Sequence, residues 1–189
     1  MKIPYIISFL SMCVWIFPPF KQYKSDFFYF FLVLAISSPI TVAVGFLFKI
    51  SPQILSVTFT LLVISTLMSY CKHRYFFIIL SIFWIIISLS FSFHKNILTI
   101  TFIGAHIFIV IILINSLMKY IQETKAVNLF LILLITYELI NILKYIAGIL
   151  SYERGAISFY IATFIQIFFG IIFLFISFKT KDFPILAKD

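Results

Sequence analysis

The 189 residues are 63% hydrophobic and only 11% charged, with a mean hydropathy of +1.20, where a soluble domain carries about 25% charged residues. That balance excludes a water-soluble fold and predicts an all-α, polytopic transmembrane helix bundle. The net charge of +8 does not point to nucleic acid, because the 14 basic residues stand almost singly between apolar runs instead of forming a stripe or tail.

A helix needs about 20 apolar residues to cross about 30 Å of hydrocarbon, and about seven runs approach that length. They are 3–20, 27–48, 53–70, 75–93, 97–118, 126–150 and 156–178, joined by short polar connections such as KQYKSD at 21–26 and CKHR at 71–74. Links this short leave no room for a soluble domain, so residues 1–189 read as a single integral membrane domain with a tail at 179–189. The first run also fits a signal peptide, whose removal would leave six spans, but Phe17-Pro18-Pro19-Phe20 is a poor cleavage site.

The second run carries Ser37-Ser38-Pro39, where the proline removes a backbone donor and predicts a bend. The third and fourth are dotted with hydroxyls from Ser56 to Ser92, which serve close helix packing or bond back to their own helix. The twenty-six phenylalanines fit a lipid-facing surface. Pro52-Gln53, at the start of the third run, resembles the dipeptide of PQ-loop and sugar-efflux type transporters, some of which have seven spans with the N-terminus outside. In that family the dipeptide belongs to a repeated three-helix unit; here it occurs once.

Counted over an odd number of spans, the N-terminal side collects four Lys and Arg residues and the opposite side nine. The excess of basic residues on the inner side predicts an outside N-terminus and a cytoplasmic C-terminus, in a plasma membrane of bacterial type.

The sixth run is the most informative. It places Glu138 at its midpoint, followed by Asn141, Lys144 and Tyr145 within one arc, while the opposite side is Leu and Ile. Charge at that depth is costly and marks a face turned from lipid. Glu138 and Lys144 lie about 9 Å apart along the axis, too poorly aligned for a direct bridge, so each needs a partner elsewhere. Lys144 stands near enough to the outer end to snorkel. His106 in the fifth run and Gln166 in the seventh fall at nearly the same depth, so the three can share one layer. Such a layer suits a substrate or coupling-ion site, and a Glu–His pair suits proton transfer; packing alone is the simpler account.

No nucleophile elbow, metalloprotease, P-loop or dinucleotide motif occurs, and Tyr120, Glu123, Glu153 and Arg154 read as solvated loop residues. The three histidines lack metal-ligand spacing, and the two cysteines suggest no framework. No metal or cofactor is therefore expected, and an enzyme, for instance one acting on a lipid-linked substrate near an interface, is left without support from any motif. The leading functional expectation is a permease or transport component that works within the lipid bilayer on a small polar solute or proton. The other is a sensory or accessory subunit whose polar face binds a ligand or a partner protein.

Overall fold

The computed structural model describes residues 3–49, 52–68, 95–150 and 155–176. Among them every regular element is a helix: α1 (Ile3–Trp15), the short α2 (Pro18–Lys21), α3 (Phe28–Phe48), α4 (Pro52–Met68), α5 (Lys95–Thr124), α6 (Leu129–Leu150) and α7 (Gly155–Phe175). Four of these, α3, α5, α6 and α7, are long and apolar enough to cross a membrane, and α1 with α2 and α4 are shorter apolar helices. The described residues are thus all-helical, and the four helices able to span a bilayer point to a membrane protein. The expected fourth run, 75–93, lies outside the described residues, as does the tail 179–189.

The boundaries depart from the apolar runs where local chemistry intervenes. The first run breaks after Trp15, because Pro18 and Pro19 have no N–H to continue the ladder and instead open a new helix, α2. The fifth extends to Thr124, well past Met118, since polar residues with good helix propensity carry it beyond the apolar stretch. It stops where Lys125 adopts φ 55, a left-handed conformation that ends a helix. Helix α3 runs through Pro39 without ending.

Among the described residues six helices form a closed ring in space: α1 packs on α3, α3 on α4, α4 on α5, α5 on α6, α6 on α7 and α7 back on α1. The expectation that phenylalanines face lipid holds for only part of them. Phe46, Phe164 and Phe175 are exposed, but Phe30, Phe31 and Phe173 are fully buried. Phe31 and Phe173 stack edge-to-face with centroids 5.1 Å apart, and Phe130 lies 5.5 Å from Phe173, spacings at which aromatic pairs attract beyond their simple burial. This cluster, with Trp15 and Phe27, ties α1, α3, α6 and α7 together at one end of the ring. Hydroxyls in α4 bond back to their own helix: Thr58 donates to the Ile54 carbonyl, Thr60 to Ser56 and Ser65 to Leu61, so they satisfy themselves without a neighbouring helix.

Gln22, fully buried in the turn after α2, closes the ring at this end. Its Nε2 donates to the Ile176 carbonyl at 2.8 Å, and its own carbonyl receives Ser25 Oγ at 2.9 Å. Replacing Gln22 by Ala leaves the Ile176 carbonyl without this donor, which costs about 1–3 kcal/mol. The measurement is unfolding midpoint in detergent, with Gln22→Glu, which cannot donate in its ionised form, expected to fall at least as far.

Candidate functional site

The site is built by helical periodicity on three neighbouring helices. On α6, Glu138, Asn141 and Tyr145 follow at three- and four-residue steps and so share one face. On α5 the same step places Phe102 below His106, and on α7 it aligns Phe159, Thr163 and Gln166. Since α6 packs between α5 and α7, its polar face meets one partner on each side.

On the α5 side, His106 Nδ1 lies 2.5 Å from Glu138 Oε2. Two lone pairs cannot approach so closely, so a proton sits between the two atoms. Glu138 is fully buried and His106 nearly so. Their outer atoms, Glu138 Oε1 and His106 Nε2, are buried with no hydrogen-bond partner among the described residues. Phe102 packs against the imidazole at 4.3 Å and against the Tyr145 ring at 4.0 Å, which holds the histidine in one orientation.

On the α7 side, Gln166 Nε2 donates to Asn141 Oδ1. Lys144 Nζ donates to Gln166 Oε1 at 3.1 Å and stands 4.1 Å over the Phe159 ring. Lys144 does not snorkel: an amide oxygen and an aromatic face turn its ammonium inward. The six residues singled out from the sequence therefore form two joined groups, His106–Glu138 and Asn141–Gln166–Lys144, with Tyr145 behind Phe102.

All six border a cavity of about 430 Å³ at the centre of the ring, within the range of ligand pockets. Residues from all six ring helices line it. The charged and amide groups occupy one wall. Facing them are Ser37, Ser38 and Thr41 of α3, Thr60 of α4, and Ser8 and Ser11 of α1. Trp15 closes the floor and packs on Tyr137 at 4.8 Å.

The chain matches no family model, no curated protein and no solved structure. What the site does must come from its own chemistry.

Sequence reasoning missed the contribution of α1. Ser8, Ser11 and Trp15 lie on one face at three- and four-residue steps, a legible pattern once the first run is treated as a bundle helix. Thr163 was equally visible one turn before Gln166. Among the described residues no three metal-ligating side chains converge.

Proposed function

We propose that the protein is a small permease, or the membrane component of a transport system, whose central cavity takes up a small polar solute together with a proton. The observation that carries this reading is the buried His106–Glu138 pair on the wall of a cavity lined by six helices. Ionisable groups at such depth are costly and are found where protons or polar solutes move. Glu138 with His106 holds the proton. Asn141, Tyr145 and Gln166 supply neutral hydrogen bonds, and Pro39, beside the cavity-lining Ser37 and Ser38, supplies a point at which α3 can bend. In this reading the chain spans a plasma membrane about seven times, N-terminus outside and C-terminus in the cytoplasm.

The test is native mass spectrometry of the protein purified in mild detergent, wild type beside Glu138→Gln. A small molecule retained by the wild type and lost from the variant is the expected result. A stoichiometric protein partner, retained by both, would instead assign the polar face to a sensory or accessory subunit and overturn the permease reading.

A further inference from the structure

Lys144 is a cation that no carboxylate pairs with among the described residues. Its partners, Gln166 Oε1 and the Phe159 ring, are uncharged. The sequence holds six acidic residues. Glu138 is engaged by His106, Asp26 precedes α3, and Glu123 is exposed in the last turn of α5. Glu153 comes nine residues after Lys144, past the end of α6, and Asp182 and Asp189 follow α7. Residues 69–94 contain no acid at all.

We propose that the cavity binds a small monocarboxylate on Lys144, and that each anion enters with one proton taken up by the His106–Glu138 pair. This deepens the permease reading and rests on it for the step across the membrane, while the binding itself does not depend on transport.

Electroneutrality among buried groups links the two ligands. With a single proton between His106 and Glu138, that pair carries −1 and Lys144 +1, so the unloaded cluster is neutral. A carboxylate alone would leave it at −1, and a second proton alone at +1. Together they restore neutrality, and net charge in such surroundings is strongly disfavoured. The second proton, drawn from water, has two atoms able to receive it, His106 Nε2 and Glu138 Oε1, both buried without a hydrogen-bond partner among the described residues. The other titratable groups lining the cavity are Tyr137 and Tyr145, on α6 itself; α1, α3, α4 and α7 contribute no charged side chain to its wall. The carboxylate's second oxygen can accept from the hydroxyls of Ser38 and Thr41 on α3, and its apolar part fits against Phe102 and Phe159.

The experiment measures binding of benzoate and lactate, with benzamide and lactamide as uncharged counterparts, to the full-length protein in mild detergent. Calorimetry in weak buffer with a pH indicator reads affinity and proton uptake together. The expected result is that the carboxylates bind at least tenfold more tightly than the amides and that about one proton is taken up per anion. By linkage, carboxylate affinity then falls about tenfold for each pH unit above the range in which the pair gains its second proton. Lys144→Met should weaken carboxylate binding at least tenfold, Lys144→Arg should restore most of it, and Glu138→Gln should abolish the proton uptake. Equal binding of amides and carboxylates, no carboxylate binding, or anion binding without proton uptake would each overturn the proposal. The amide comparison uses the wild-type protein, so it decides even where Lys144→Met fails to fold. Retention of an anionic phospholipid in place of either soluble carboxylate would also overturn it. A carboxylate that binds with its proton yet does not cross proteoliposomes would leave the site standing and remove the permease reading instead.

Discussion

His106→Leu is expected to destabilise the protein by about 3 kcal/mol or more, the cost of leaving a buried charged acceptor without its donor. In the wild type, Glu138 is fully buried and Oε2 is held 2.5 Å from His106 Nδ1, while Oε1 has no partner among the described residues. Removing the imidazole therefore strips the carboxylate of its only hydrogen bond among the described residues. Glu138→Leu is expected to cost less, about 1–3 kcal/mol, because the remaining imidazole can stay neutral. The double replacement, His106→Leu with Glu138→Leu, should be milder than His106→Leu alone, since apolar residues of similar size often substitute for a buried pair at little cost. A double-mutant cycle read by unfolding midpoints in detergent measures the coupling. It should well exceed the roughly 0.6 kcal/mol average of hydrogen bonds between membrane helices. Additive single effects would show that the two side chains act independently.

The second large effect is expected where α1 meets α7. A Cβ placed on Gly170 would stand 2.6 Å from Val14 Cγ1, with the Trp15 indole at 3.5 Å. Valine in a helix is confined to essentially one χ1 rotamer, so Val14 cannot swing aside and the helices must separate. Overpacking of this kind costs about 1–3 kcal/mol. Gly170→Ala should lower the unfolding midpoint accordingly, and Gly170→Val should lower it further. The contact also has a built-in control: Val14→Ala makes room for the added methyl, so Gly170→Ala in that background should cost much less. If Val14→Ala brings no relief, the clash lies elsewhere. Displacing α1 would also move Trp15, which packs on Phe31, Tyr137 and Phe173, and with it the floor of the cavity.

Much of the helical layout was legible because hydrocarbon imposes a length and a polarity on each crossing segment. Runs 27–48 and 156–178 coincide with α3 and α7 to within a few residues. The same reasoning located the polar face of α6, since charges at mid-span stand out against Leu and Ile. It misjudged the phenylalanines, whose composition alone cannot distinguish lipid contact from a core: Phe31 and Phe173 are fully buried, and Phe164, of the same residue type, faces outward. Hydropathy also joined residues 3–20 into one segment, whereas the missing N–H groups of Pro18 and Pro19 divide it.

The sequence by itself determined that the protein is a helical membrane protein and that Glu138 and Lys144 need partners off their own helix, because 3.6-residue periodicity and the cost of buried charge are local properties. Only the tertiary structure decided who those partners are. His106 and Gln166 could have met on one side of α6 or on opposite sides. Packing α6 between α5 and α7 sends His106 to Glu138 and Gln166 to Asn141 and Lys144. Ring closure through α1 then places Ser8, Ser11 and Trp15 on the same cavity, a proximity between residues more than a hundred positions apart that no local pattern encodes.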